Sequence, residues 1–102
     1  MSDRLFSGTF DKMDRIERHI LMLKTTKQNQ PVGIIRLSEL LGIPKHKVRY
    51  SLRLLEKEGL IVATPEGAMV TEKYDEFMND VSSEMDELIE RINAVRKETY
   101  EK

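Results

Sequence analysis

Four cationic side chains lie close together in this chain without an acidic neighbour. Lys45, Lys47, Arg49 and Arg53 fall within nine residues, and no Asp or Glu separates them. An arginine guanidinium is a planar fork that matches the O6 and N7 atoms of guanine, whereas a lysine ammonium is a compact charge suited to phosphate. The residue types in this run therefore predict contact with a nucleic acid.

A helix would place these cations on one face. Val48, Leu52 and Leu55 recur at i, i+4 and i+7, which predicts a helix from about residue 44 to residue 58 with these three residues turned inward. The outward face then holds the residues that we expect to contact DNA, namely Lys45, His46, Lys47, Arg49, Tyr50, Arg53 and Lys57. We assign the two arginines to bases and the lysines to the phosphate backbone. The alternative is a basic face that is only solvated.

Glycine and proline mark the ends of this helix and of a shorter helix before it. A helix from about Ile34 to Leu41 should end at Gly42, because a glycine takes the left-handed cap that other residues resist. Pro44 then starts the second helix, since proline is tolerated near the first helical position, and Gly59 stops it. Two helices joined by so short a turn and followed by a β-rich hairpin predict a helix-turn-helix with a wing.

Two short runs carry a resemblance to a known family. The first is typical of the first helix of the motif and consists here of Leu37, Ser38, Leu41, Gly42 and Ile43. The second is typical of the end of the recognition helix and consists of Leu55, Glu56, Gly59, Leu60 and Ile61. Over residues 15 to 73 the chain resembles the winged helix-turn-helix domains of prokaryotic transcriptional regulators, with Ser38 in place of the usual alanine. The resemblance implies sequence-specific or architectural binding of double-stranded DNA.

The predicted wing lacks the basic residues that many relatives of this fold carry at its tip. Residues 60–64 and 68–71 are two short β-rich runs around the turn from Thr64 to Gly67, whose proline and glycine suit a β-turn. The tip carries Glu66 and no cation, so a contact with DNA would use the backbone or Thr64. This departure keeps a second function open, a winged helix that recognises protein within a larger assembly and does not bind DNA.

An amphipathic helix is expected before the motif. It runs from about Thr9 or Asp11 to Lys27, and its apolar stripe consists of Met13, Ile16, Ile20 and Leu23. Leu21 and Met22 make its last turns apolar nearly all round. This pattern predicts a second packing partner besides the local core, and the C-terminal helix is the candidate.

The C-terminal part of the chain has one long helical pattern without Gly or Pro, from about Thr71 to the end. Its apolar positions alternate spacings of four and three, which is typical of a coiled-coil seam, and they are Tyr74, Met78, Val81, Met85, Leu88, Ile92, Val95 and Thr99. Such a helix is roughly 40 Å long at 1.5 Å per residue, too long to bury its stripe on so small a domain. We therefore expect a homodimer; the alternative is a helix folded back on its own domain.

Charge favours antiparallel helices in this dimer. A parallel pair would set Arg91 of one chain against Arg96 of the other, whereas an antiparallel pair lets Glu84 or Glu98 meet Arg91. The layout resembles small archaeal winged-helix DNA-binding dimers joined by an antiparallel coiled coil.

The expected fold is mainly α (α+β), with three segments. Residues 1–8 form a polar leader, residues 9–73 a winged helix-turn-helix domain, and residues 74–102 a dimerisation helix. Within the domain, residues 24–30 should be a polar linker and residues 31–32 a short strand.

Charge and composition limit the function classes. Residues 1–60 carry 12 Lys and Arg against 7 Asp and Glu, a balance of +5, whereas residues 61–102 carry 5 against 11, a balance of −6. The predicted DNA-contacting residues lie in the basic half. Without cysteine or a long apolar run, we expect a cytoplasmic protein that does not enter membranes. With two histidines and no catalytic motif, we expect no enzyme activity, metal or cofactor, and we expect His19 to be a partly buried packing residue.

Overall fold

The computed structural model describes residues 4–100, which are mainly helical with one small antiparallel hairpin. The elements follow the order α1 (Ser7–Asn29), α2 (Ile34–Leu41), α3 (Lys45–Lys57), β1 (Ile61–Thr64), β2 (Gly67–Val70) and α4 (Tyr74–Tyr100). They divide into two compact units, one up to residue 72 and one from residue 73 onward. The predicted combination of a mainly helical chain, a short hairpin and a long C-terminal helix is confirmed.

The first helix is longer at both ends than its sequence pattern predicted. It begins at Ser7, within the segment expected to be a leader, where the hydroxyl and the amide of Ser7 both donate to the Arg4 carbonyl. It ends at Asn29, beyond Lys27, because the polar linker residues continue the helix until Pro31 imposes an extended backbone on Gln30 (ψ 144°). Residues 1–3 of the predicted leader lie outside the described residues.

The buried face of α1 also differs from the predicted stripe. Met22, Leu23 and Thr26 are fully buried, whereas Met13 is 47% exposed and Ile16 is only half-buried. The reason is length, since α1 is about 34 Å long and α3 about 20 Å at 1.5 Å per residue. The short elements α2, α3 and β2 contact α1, and its fully buried side chains all lie in its last two or so turns.

The core of the first unit gathers residues from every element before α4. Leu37 of α2 and Val48 of α3 are fully buried, and Leu55, Leu60 and Ile61 are nearly so. The hairpin pairs Ile61 with Val70 and Thr64 with Gly67, in the predicted region and with the predicted turn. This small core supports α3 from one side.

The segment before α2 is attached to the hairpin. Val32 exchanges two backbone hydrogen bonds with Ala68, at 3.1 and 2.8 Å, and the Gln30 side-chain oxygen accepts from the Val70 amide at 2.8 Å. The predicted strand at residues 31–32 is thus reduced to one bridging residue. Gly67 allows this contact, because its φ is 137° and a Cβ there would lie 2.7 Å from the Val32 backbone.

The second unit is the single helix α4, which contains no fully buried residue. Phe77 donates its amide to the Lys73 carbonyl at 3.0 Å, so the helix starts at Tyr74, the first residue of the predicted dimerisation helix, although the helical pattern begins near Thr71. No helix in the described range 4–100 combines the length and apolar content needed to cross a bilayer.

Candidate nucleic-acid interface

The turn between α2 and α3 fixes where the basic helix begins. Gly42 adopts a left-handed conformation (φ 66°), as its sequence position predicted, and its amide donates to the Ser38 carbonyl at 2.9 Å. The Ser38 hydroxyl donates to the Ile43 carbonyl at 2.6 Å. Ser38 therefore ties the end of α2 to the residue that precedes Pro44. The sequence alone identified Ser38 only as a small residue in place of alanine.

The far end of α3 is fixed by a second left-handed glycine. Gly59 has φ 78° and donates its amide to the Glu56 carbonyl, while Leu60 donates to the Leu55 carbonyl at 2.9 Å. These two hydrogen bonds are the pair that defines a Schellman motif, and the nearly buried Leu55 and Leu60 supply the apolar contact that usually accompanies it. Backbone hydrogen bonds therefore hold the C-terminal end of α3, while the Ser38 hydroxyl holds the turn before its start.

The inward face of α3 is rotated relative to the prediction. Val48, Ser51 and Leu55 are buried, whereas Leu52, which was expected in the core, is only half-buried. A fully buried serine is small enough to let neighbouring helix backbones approach closely, which an apolar-only pattern does not reveal. Leu52 instead lines a concavity of about 180 Å³ together with Arg49, Arg53 and apolar residues of the hairpin.

All the predicted DNA-contacting residues are exposed. This holds for Lys45, His46, Lys47, Arg49, Tyr50, Arg53 and Lys57. None of these side chains forms a hydrogen bond or an ion pair with another residue of the range 4–100. Their donors are therefore available to an external partner. Acidic side chains lie near this helix at Glu56 and Glu58 in its last turns, and at Glu39 of α2, which lines a groove with Lys45 and Arg49.

The structure adds two residues of α2 to this surface. Ile35 and Arg36 line an open groove together with Lys45 and Arg49 of α3. Ile35 is exposed, and the Arg36 guanidinium lies 3.7 Å from the Glu39 carboxylate with both side chains in solvent. Such an exposed pair contributes little to stability. The sequence run around Lys45 gave no signal for Arg36, because the two lie on different helices.

The hairpin tip is closed on itself. The Thr64 hydroxyl donates to the Gly67 carbonyl at 2.7 Å and accepts from the Glu66 amide at 3.2 Å. The hydroxyl expected to be available for DNA is thus engaged within the turn. Pro65 and Glu66 are the exposed residues at the tip.

The two histidines lie in different surroundings. His46 is exposed at the start of α3, and His19 is half-buried on α1, where burial first and then Arg18 and Arg15 lower its pKa. Within residues 4–100, no group of three His, Asp or Glu side chains comes together as a metal site would require.

The predicted dimerisation residues fall into two sets along α4. Tyr74, Met78, Val81 and Met85 are half-buried, while Leu88, Ile92 and Val95 are exposed. The open part of the seam is therefore its C-terminal half.

A search of protein-family models found no family that matches this chain. The functional interpretation depends on the geometry of α3 and its neighbours.

Proposed function

We propose that the chain is a winged helix-turn-helix protein that binds double-stranded DNA as a homodimer and acts as a transcriptional regulator. The observation that carries this proposal is the exposed face of α3, whose cations have no partner among residues 4–100. Binding of this kind is non-enzymatic and needs no cofactor.

The shape and charge of this face suit a DNA duplex. A major groove about 12 Å wide admits one α-helix, and the arginine fork pairs with guanine in that groove. Arg49 and Arg53 are four residues apart, so both point from the same side of α3. We assign base contacts to these two residues, and phosphate contacts to Lys45, Lys47 and Lys57.

Salt-dependent binding to duplex DNA tests this assignment. On a site obtained by selection from genomic fragments, Arg53→Ala should weaken binding by about 1 to 3 kcal/mol and relax preference at one base pair. Lys47→Ala should weaken binding to every sequence alike and lower the salt slope by about one unit. Fluorescence anisotropy at several salt concentrations measures both effects.

A matched control is Lys12→Ala, because Lys12 is an exposed cation on α1 away from this face. It should leave both the affinity and the slope unchanged. If the folded wild-type dimer binds no duplex at low salt, the DNA proposal is wrong.

One observation favours a second candidate, the recognition of a protein. The hairpin tip presents Glu66 and no cation, and Tyr50 is 53% exposed on α3 beside the half-buried Leu54. An aromatic residue beside arginines is typical of protein hot spots. If the wild-type protein does not bind duplex DNA, we therefore expect the same face of α3 to bind a partner protein.

The homodimer part of the proposal is supported by the exposed stripe of α4. Leu88→Asp should dissociate the dimer, because it replaces apolar burial worth roughly 1.5 to 3 kcal/mol with a carboxylate that resists desolvation. Sedimentation velocity measures the change. Asn93→Asp, on an exposed position away from the stripe, is the control and should remain dimeric.

The proposed antiparallel direction has its own test. Thr99→Cys introduces the chain's sole cysteine near one end of α4. The two copies of residue 99 lie far apart in an antiparallel pair, whereas a disulfide needs Cα atoms within about 7 Å. Ready formation of a disulfide within the dimer would reverse the proposed direction.

A further inference from the structure

Charge is distributed unevenly along α4. Residues 74–86 contain five acidic side chains and no basic one, whereas residues 87–100 contain three of each. The helix buries no residue fully, so every position of its apolar seam can gain burial from a partner. An antiparallel second copy would set the acidic half of one helix against the half of the other that holds all its cations.

Four exposed charges lie directly beside the seam. With Met85 at an a position of the heptad, Glu84 and Arg91 fall at g on one side of the seam, and Asp75 and Arg96 fall at e on the other side. Reversing one of two facing helices brings g beside g and e beside e. These side chains therefore determine which register of an antiparallel pair is favourable.

We infer that two copies of α4 pair antiparallel over the whole seam, with Met85 of each copy facing Leu88 of the second copy. The inference rests on the homodimer of the proposed function and specifies which residues meet. Outward from this central layer, the facing pairs are Val81 with Ile92, Met78 with Val95, and Tyr74 with Thr99.

In this register the charges beside the seam attract one another across the interface. Glu84 lies beside Arg91 of the second copy, with an axial offset of two residues, about 3 Å at 1.5 Å per residue. Asp75 lies beside Arg96 of the second copy with the same offset. Arg96 donates one hydrogen bond to the Asn93 side-chain oxygen at 3.2 Å, and its guanidinium has further donors for Asp75. Two-fold symmetry repeats both ion pairs.

A slip by one heptad removes this match. In one direction Glu84 meets Glu84 of the second copy. In the other direction Arg91 meets Arg91, and Glu84 meets Glu98. Either slip leaves two of the eight seam residues of each copy without a partner, and a slip by two heptads leaves four. Apolar burial and charge therefore select the same register.

Charge reversal tests this register on the full chain. Glu84→Lys and Arg91→Glu should each raise the dimer dissociation constant about three- to tenfold, because two attractive pairs become repulsive. The double variant should return to within about twofold of the wild type. The two positions lie about 10 Å apart along one helix, so this recovery requires contact between copies. Glu90→Lys, with the same charge change on the side of α4 away from the seam, is the control and should change the constant less than twofold. Sedimentation equilibrium measures all four variants.

Cross-linking tests the register independently, because the chain contains no cysteine. Met78→Cys is mixed in equal amounts with Val95→Cys, the copies are allowed to exchange, and the mixture is mildly oxidised. We expect a disulfide between the unlike chains, identified by mass spectrometry, since these residues face each other. Met78→Cys mixed with Leu88→Cys is the matched control and should form none, because residues 78 and 88 face each other only after a slip by one heptad.

Several results would overturn the inference in a chain shown to be dimeric. Cross-linking of residue 78 to residue 88 in place of residue 95 would establish a different register and leave the antiparallel dimer intact. A double variant as weak as its single parents would show that residues 84 and 91 do not meet. A tighter dimer for Arg91→Glu would indicate parallel helices. A monomeric wild type would overturn the register together with the proposed homodimer, whereas duplex binding is measured separately.

Discussion

The helices α3 and α4 differ in how many of their side chains are buried within the described chain. The 13-residue α3 buries three side chains completely or nearly so and has both ends held by hydrogen bonds to glycines or their neighbours. The 27-residue α4 buries none. The exposed surface of α3 is mainly cationic, whereas distal α4 exposes an apolar stripe among charged residues. A helix fixed by its own unit can present charge to a ligand, whereas α4 would obtain burial for its apolar stripe in the proposed dimer.

The largest effect expected from this difference concerns stability. Leu37→Ala removes a fully buried side chain of the first unit and should lower the free energy of unfolding by about 2 to 5 kcal/mol at any protein concentration. Ile92→Ala, on the open stripe of α4, should lower it by an amount that depends on protein concentration, because Ile92 would be buried only in the proposed dimer. Urea denaturation at several protein concentrations separates the two. Equal, concentration-independent losses would remove the distinction between the helices.

A smaller effect should come from the turn that positions α3. Ser38→Ala removes the hydroxyl that donates to the Ile43 carbonyl and should cost about 1 kcal/mol of stability. Because this turn sets the start of α3, we also expect weaker duplex binding than the stability loss alone explains. Anisotropy of the folded variant measures this, and Ser83→Ala, at an exposed serine of α4, is the control. Unchanged binding would show that Gly42 and Pro44 suffice to place α3.

The smallest effect is a pH dependence at His19. Folding lowers the pKa of this residue through burial and then through Arg18 and Arg15. Its contribution to stability is therefore complete above the ordinary histidine pKa of about 6.5 and is lost as the pH falls through the lowered value. His19→Gln should reduce the stability difference between pH 7.5 and pH 5, as followed by thermal unfolding. His46→Gln, at an exposed site, should leave that difference in place, and the same result for both variants would exclude His19 as the source.

The sequence predicted the elements around α3 well because glycine and proline act locally. The bounds of α2, the left-handed Gly42 and the stop at Gly59 follow from backbone preferences that need no tertiary information. One error arose where packing decides. Leu52 was placed in the core, although the fully buried Ser51 occupies that side of the helix.

The other sequence-based errors concern α1 and the interface. Polar residues between Lys24 and Asn29 looked like a linker, yet nothing before Pro31 breaks the helix. The sequence did not predict that Arg36 belongs to the candidate interface, because only the fold brings α2 beside the start of α3. The exposed character of all seven predicted contact residues follows from the periodicity of α3, whereas their binding of DNA stays a prediction.

The bridge between Val32 and Ala68 has a mechanical consequence. Gly67 lies against the Val32 backbone, and the Gln30 side chain accepts a hydrogen bond from the Val70 amide. The hairpin is therefore attached to the segment just before α2. A hairpin held only by the pairing of its own strands could change its orientation freely. This hairpin is hydrogen-bonded to residues 30 and 32, so we expect it to move together with the start of α2. The acidic tip at Glu66 is therefore tied through these contacts to the segment that leads into α2, so a change in the direction of α2 would also reorient the tip.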